Sequence, residues 1–393
     1  MGELAEERGR AYFEEAADFV ARGDGMNLSP FRLPFQAGLF EHTDVRFGAL
    51  PGVFDDSLPD GWGLLLMDRH FAARGVDVRA MSPLERLSWL GTRTMGALTY
   101  HPPTVREEGG GGDGVFDLHD LARESERVLS GEAGEVLPEL LRAGGSPAGA
   151  RPKVLVGVKG KRLVSGEDEL PEGFEHWLVK FSAKGDGADA GAVEFAYGRM
   201  AVAAGLTMPT TRLFETKEGG RFFGVRRFDR EKGRRLHVHT FGNLIQSNFR
   251  IPSCDYVQLM QVTSLLTRNH QDVLRAFRQM VFNVVAHNRD DHVKNFAFVL
   301  EDERGEWRLS PAYDLCWAAG PGGEHTMTVA GEGRAPGVAD FQRVAEGAGI
   351  SKKEVGAIVE EVREAMGKWR RFAEKAGVRR KRVREIEATF PEV

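Results

Sequence analysis

The chain has 393 residues, 41% of them hydrophobic and 28% charged, with a formal net charge of −5. That length suits two or three packed subdomains rather than one core, and the acidic balance argues against a mainly electrostatic nucleic-acid binder. The only two cysteines, Cys254 and Cys316, lack metal-site spacing. No apolar run reaches the roughly eighteen residues a bilayer demands, and the start Met1-Gly2-Glu3 lacks the order of a secretion signal. A reduced, cytoplasmic location without membrane contact is therefore expected.

The first hundred residues mix strand-like runs with turns at Asn27-Leu28-Ser29-Pro30 and Leu58-Pro59-Asp60-Gly61. Ser82-Pro83-Leu84-Glu85 is a capping box that predicts a short helix. The expected division is an N-terminal α/β subdomain over 1–105 and a linker over 106–135 containing Gly109-Gly110-Gly111-Gly112. A strand-rich lobe over 136–230 and a helical lobe over 231–393 follow. Within the strand-rich lobe, 153–158 and 162–164 read as a hairpin, and His176–Phe181 as a strand with Leu178 and Lys180 on one face. A helix carrying Val193, Tyr197, Met200 and Ala204 comes next.

The last lobe opens on an apolar helix through Val273, Phe277, Val281 and Val285. A strand is expected at 295–300 and another at 307–309. Behind the capping box Ser351-Lys352-Lys353-Glu354, one long amphipathic stripe runs to Ala373. Strands first and helices afterwards is the order of an α+β, bilobal, protein-kinase-like fold.

Asp290-Asp291-His292-Val293-Lys294-Asn295 is polar, follows an apolar helix and precedes an apolar strand. Its D-x-x-x-x-N spacing is that of the protein-kinase catalytic loop, in which the Asp accepts the hydroxyl proton and the Asn helps hold Mg²⁺. Asp314, beyond the next strands, suits a second Mg²⁺ ligand. Lys180 is the strand lysine such chemistry needs against ATP phosphates, with Glu194 as its helix partner. Gly144 to Lys153 is a candidate phosphate loop whose glycines let backbone N–H groups approach anionic oxygens, with Arg151 and Lys153 adding charge. The plain alternatives are a solvated loop, an exposed strand lysine and a surface glycine loop.

Two other chemistries compete. A metal-hydrolase set of His287, Asp290, Asp291 and His292 has its histidines five apart, where one helical face wants three or four. A Ser146/His292/Asp290 triad lacks the backbone N–H after the nucleophile, because Pro147 stands there. The basic run Arg379-Arg380-Lys381-Arg382-Val383-Arg384 reads as a solvated helix end or a contact for an acidic partner.

Together these segments resemble the HipA family over nearly the whole chain. The resemblance is carried by Leu28-Ser29-Pro30, Ser57-Leu58-Pro59-Asp60-Gly61-Trp62-Gly63, Gly91…Gly96-Ala97-Leu98, Trp177-Leu178-Val179-Lys180, Arg227-Phe228-Asp229-Arg230, Asp290…His292…Asn295 and Pro311-Ala312-Tyr313-Asp314. It implies a Mg-ATP-dependent serine/threonine protein kinase with an extra N-terminal subdomain. By matching position, Asp290 is the base, Asn295 and Asp314 hold Mg²⁺, and Lys180 binds phosphate. Ser146, Gly149, Ala150, Arg151, Lys153 and His292 then contact the nucleotide, Val225 and Phe228 border the adenine, and Ser146 is autophosphorylated. Arg226 stands where some members carry an acidic residue. The implied partners are a translation-related protein substrate, such as an aminoacyl-tRNA synthetase, and a HipB-like helix-turn-helix antitoxin. Operator DNA would be reached mainly through that antitoxin. A phosphotransferase without a toxin role and a kinase-like binding module stay open beside this reading.

Overall fold

The computed structural model describes residues 1–22, 27–33, 35–103, 117–132, 136, 138–143, 149–166, 169–183, 185–301 and 305–391. They divide into two units, Met1–Gly23 with Leu33–Gly191 and Arg212–Val238, and Asp24–Arg32 with Ala192–Thr211 and His239–Val393.

The first unit opens with an antiparallel sheet of β1 (Gly2–Glu7), β2 (Arg10–Glu15) and β3 (Leu39–Glu41). Helix α1 (Gly61–Ala72) buries Trp62, Leu66 and Met67, and starts where the sequence shows only a turn. Helix α2 (Pro83–Leu90) has the expected capping box, with Ser82 accepting from Glu85 N and Glu85 reaching back to Ser82 N. A helix falls within the expected linker. Residues Leu118–Ser130 form α3, whose buried Leu118, Leu121, Ser125 and Val128 follow helical spacing. The glycine run at 109–112 lies outside the described residues.

Beyond it stands a five-stranded sheet, β4 (Lys153–Lys159), β5 (Arg162–Ser165), β6 (Glu175–Lys180), β7 (Thr211–Glu215) and β8 (Arg221–Arg226), in the order β5-β4-β6-β8-β7. β4 is buried from Lys153 through Val158, and its Val-Leu-Val-Gly-Val run suits a strand covered on both faces. The expected hairpin is present, with Lys159 opposite Arg162. On β6, Lys180 lies opposite Lys153 of β4 on one side and Phe223 of β8 on the other.

The second unit contains most of α4 (Ala190–Ala203), then α5 (Tyr256–Thr267) and α6 (His270–Val285). A hairpin follows, β9 (Ala297–Leu300) with β10 (Trp307–Leu309), and then α7 (Val338–Ala348), α8 (Lys352–Met366), α9 (Trp369–Lys375) and α10 (Arg380–Glu387). Tyr256, Phe277, Phe282, Phe296, Phe298, Phe341 and Trp369 are fully buried and form its centre. The stripe expected as one helix to Ala373 is two helices. Lys368, at φ −97° and ψ 8°, leaves the helical region between them. The strand expected from Asn295 begins at Ala297, because Val293–Asn295 closes a 3₁₀ turn. No helix among the described residues is long and apolar enough to cross a membrane.

Candidate functional site

In the second unit, α6 delivers the chain to the catalytic-loop candidate. Its last turn is capped by Ala286, and His287 then takes a left-handed backbone with φ 52°. Histidine tolerates that conformation better than most residues, and such positions cluster at functional sites. Asn288 N donates to Asn283 O at 2.8 Å, and Asn288 Nδ2 to Asn283 Oδ1 at 3.0 Å, so the loop is tied back onto the helix. Asn283 Nδ2 in turn donates to the Tyr256 hydroxyl at 3.0 Å.

The two adjacent aspartates have opposite surroundings. Asp290 is exposed, whereas Asp291 is completely buried. The Asp291 carboxylate accepts from Tyr256 Oη at 2.7 Å, lies 2.8 Å from His325 Nδ1, and accepts from Thr326 N at 2.8 Å. Burial, and then the Asp291 charge, pushes the Tyr256 phenol well above its ordinary range, so it remains the donor. Asn295 Nδ2 donates to the Asp290 carbonyl at 2.6 Å, and Asn295 N to His292 O at 2.8 Å. The Asp290–Asn295 segment is thus a closed ring over a buried polar network.

Asp314 reaches the same place by a different route. Tyr313 Oη donates to the Lys294 carbonyl at 2.6 Å, which joins the residue before Asp314 to the residue before Asn295. Asp314 itself is left-handed, with φ 56°. Farther along, Trp317 lies between His287, stacked at 6.2 Å and 11°, and the Arg382 guanidinium at 4.7 Å. The basic run that looked like a solvated helix end therefore spends Arg382 on this segment. Burial and the Arg289 charge lower the His287 imidazole to about 4, so it is neutral at pH 7.

The residues present fit a hard divalent cation. Asn295 has committed its amide nitrogen to Asp290, which leaves Oδ1 as its free donor, and Asp314 adds a carboxylate; oxygen-only ligation is what Mg²⁺ prefers. The competing set of His287, Asp290, Asp291 and His292 is not brought together, since Asp291 is turned into the buried network. Among the described residues no group of three or more His, Cys, Asp or Glu has the geometry to hold a metal. The His292 ring packs 5.5 Å from Phe249, and its buried Nδ1 has no hydrogen-bond partner among the described residues.

The first unit holds the remaining candidates. Lys153 and Lys180 are both buried, 3% and 9% exposed, in directly opposed positions of β4 and β6. The Lys180 ammonium lies 5.8 Å from the Phe223 ring centre. Gly149, at φ 96°, leaves room that the Lys153 ammonium fills; a Cβ there would stand 2.5 Å from Lys153 Nζ. Arg151 pairs with Asp186 at 3.4 Å. Val225 sits opposite Leu178, and the variant residue Arg226 is exposed in a 3.0 Å pair with Glu175. Phe228 is half-buried in the segment that follows β8. Ser146 lies outside the described residues, and Glu194 belongs to the second unit.

The resemblance implies that Val225 and Phe228 border the adenine and gives the rest of the Arg227-Phe228-Asp229-Arg230 motif no task. Asp229, fully buried, accepts from Arg227 Nε and Nη2 at 2.9 and 2.7 Å, from Arg230 Nη1 at 2.7 Å and from Gly96 N at 2.8 Å. Arg230 and Arg235 then bind the carbonyls of Thr94 and Gly96. Burial alone would raise the Asp229 carboxyl; the arginines overcome it and hold the group far below the usual carboxylate range. The motif is a clasp onto the Gly91–Leu98 stretch. Its signal in the sequence is the alternation of Arg and Asp at 227–230, whose partner Gly96 lies 133 residues away and meets it only in three dimensions.

These two units define an α+β protein in which a carboxylate loop follows a buried helix and a lysine-bearing sheet follows an N-terminal subdomain. Residues 145–370 match the family model of the HipA-like C-terminal domain, and residues 1–101 that of the HipA N-terminal domain. The chain belongs to the HipA family. A curated protein of Sinorhizobium fredii, named "Putative kinase Y4dM", is 26% identical over 282 residues, 68% of this chain and 62% of that protein's length. Among solved structures, the Shewanella oneidensis MR-1 toxin–antitoxin complex of HipA, HipB and operator DNA aligns with a TM-score of 0.72 at 16% identity. The alignment covers 99% of this chain and 92% of that one, and bears on the fold. The Helicobacter pylori kinase CtkA aligns over 54% of this chain and 92% of its own, at 12% identity, with a TM-score of only 0.33.

Proposed function

We propose that this chain is an ATP-dependent serine/threonine protein kinase of HipA type. The observation that carries the reading is the ring in which Asn295 Nδ2 holds the Asp290 carbonyl while Asp290 itself stays exposed. A kinase base needs its carboxylate within reach of an incoming hydroxyl and its backbone fixed, and an exposed Asp290 on a hydrogen-bonded loop supports both. Asp290 takes the proton of the attacking hydroxyl. Asn295 Oδ1 and Asp314 hold Mg²⁺, which when bound neutralises charge on the phosphates. Lys180 and Lys153 bind the phosphates, with Glu194 as the partner of Lys180. His292, Gly149, Ala150 and Arg151 belong to the nucleotide's surroundings, Val225 and Phe228 border the base, and Ser146 is a self-phosphorylation site. The reading also takes residues 1–105 as a separate N-terminal subdomain, 136–230 as the nucleotide lobe and 231–393 as the catalytic lobe.

The structural neighbour, which was solved with HipB and operator DNA, supports the partner in this reading. A HipB-like helix-turn-helix protein is proposed for this chain, with operator DNA contacted mainly through it and the net charge of −5 in accord with that. The protein substrate is proposed to be a component of translation, such as an aminoacyl-tRNA synthetase, in the cytoplasm. The test is transfer from γ-labelled ATP to candidate translation proteins and to the chain itself. Asn295→Ala and Asp314→Ala serve for the metal: each is expected to abolish transfer and to weaken the Mg²⁺ dependence of ATP binding by calorimetry. Metal-dependent affinity that is unchanged in both would move the metal site elsewhere.

A further inference from the structure

The segment Leu58-Pro59-Asp60-Gly61-Trp62-Gly63 takes no part in phosphotransfer as read above, yet three of its residues close on the chain just before β4. Asp60 Oδ1 accepts from Gly149 N at 2.5 Å. Trp62 N donates to Gly149 O at 3.2 Å, and Trp62 Nε1 donates to the buried Lys153 carbonyl at 3.0 Å. Both peptide groups of Gly149 and the first carbonyl of β4 are therefore held from one helix start. Gly61 makes the approach feasible. At φ 45°, with a Cβ that would stand 2.7 Å from Gly149 O and 2.8 Å from Ala150 Cα, no other residue fits without displacing that chain.

We infer that Asp60 and Trp62 are positioning residues for the phosphate-binding loop, so that the N-terminal subdomain sets the affinity of the nucleotide site. The inference rests on the kinase reading of Lys153 and the glycine loop. The contact needs a physical reason beyond packing, because a carboxylate near a phosphate site is electrostatically adverse. Asp60 meets that cost by accepting a charge-assisted hydrogen bond from Gly149 N, the very kind of backbone donor that otherwise turns toward phosphate. Gly149, held at φ 96°, also borders the space in which the Lys153 ammonium lies, since a Cβ on that residue would stand 2.5 Å from Nζ. Release of the clasp frees the loop and lets the lysine leave its place, at the expense of binding rather than of the proton-transfer step.

The test uses the full chain with Asp60→Ala, Asp60→Asn and Trp62→Phe, each checked by thermal melting. Titration with ATP and with Mg-ATP reads affinity, transfer at varied ATP to a protein that the chain phosphorylates reads KM for ATP against kcat, and hydrogen exchange reads the amides of Gly149 and Ala150. Asp60→Ala is expected to weaken ATP binding by about tenfold or more, the loss of one hydrogen bond to a charged group, with kcat little changed and exchange faster. Asp60→Asn keeps an acceptor oxygen and should restore most of the affinity; Trp62→Phe, which keeps the ring, should fall between. Unchanged affinity and exchange in Asp60→Ala, equal losses in the Ala and Asn variants, or a fall in kcat alone would overturn the inference. If the unsubstituted chain binds no ATP, the kinase reading fails by itself, and the exchange measurement still decides whether Asp60 holds the loop.

Discussion

Asp229 in the first unit and Asp291 in the second are both carboxylates without solvent contact, and they are satisfied in opposite ways. Asp229 is gripped by the guanidinium groups of Arg227 and Arg230. Asp291 is held by a phenol, an imidazole nitrogen and a backbone amide. Clustered guanidiniums keep an acid ionised and spread positive charge around it, which suits a fixed clasp between two stretches of chain. Hydrogen bonds from Tyr256 and Thr326 fix geometry with little added charge. That is the better support beneath a residue whose neighbour must accept a proton, because a strong positive field lowers basicity.

The comparison sharpens with substitutions at three positions, beginning with the exposed neighbour. Asp290→Asn is expected to lower phosphotransfer by about a hundredfold to ten-thousandfold, the reach of general acid–base catalysis, with no change in melting temperature. Wild-type turnover in the purified variant would remove Asp290 from the chemistry. Asp229→Ala should act entirely through stability. It strands buried guanidinium groups, so a loss of about 3–5 kcal/mol is expected in denaturant titration. Asp291→Asn is predicted to cost less, about 1–3 kcal/mol, since an amide retains one acceptor for Thr326 N but faces Tyr256 and His325 with the wrong group. It should also lower activity, which Asp229→Asn at matched stability should not. Equal effects on activity from both would erase the distinction between clasp and support.

Much of this was legible in the sequence where local chemistry and local structure coincide. The capping boxes at Ser82 and Ser351 start helices because their reciprocal hydrogen bonds involve residues three apart. The polar 290–295 segment lies between a helix and a strand as its apolar flanks predict. Contacts between distant segments were not legible. Asp60 reads as a turn residue because its partner is Gly149, and Asp229 carries no role in the sequence because its partner is Gly96. Helix α1 was hidden by the Pro59-Asp60-Gly61 signal at its own start. Spacing to Asn295 picks Asp290 but does not tell which of Asp290 and Asp291 the fold turns inward, since adjacent residues on a loop differ only in that.

The smallest expected effect concerns protons and compares the units through one histidine in each. His176 in the first unit and His287 in the second are both lowered to about 4, by burial first and then by Arg227 and Arg289 respectively. In the unfolded chain both titrate near the ordinary histidine value of about 6.5. Between these values the unfolded state therefore binds more protons than the folded one, and stability must rise with pH across that window and lose this dependence above it. The depressed Asp229 carboxyl adds its own loss only where unfolded carboxylates begin to protonate, at about pH 4 and below, as pH falls toward its folded value. The melting temperature should consequently fall from pH 7 to pH 5 through the histidines. His176→Gln is expected to flatten part of that slope. His287→Asn should flatten another part, and asparagine is chosen because it accepts the left-handed backbone at φ 52°. Thermal scans of the two variants and their combination at both pH values make the measurement; a slope that survives intact in the combined variant would assign the pH dependence to other groups.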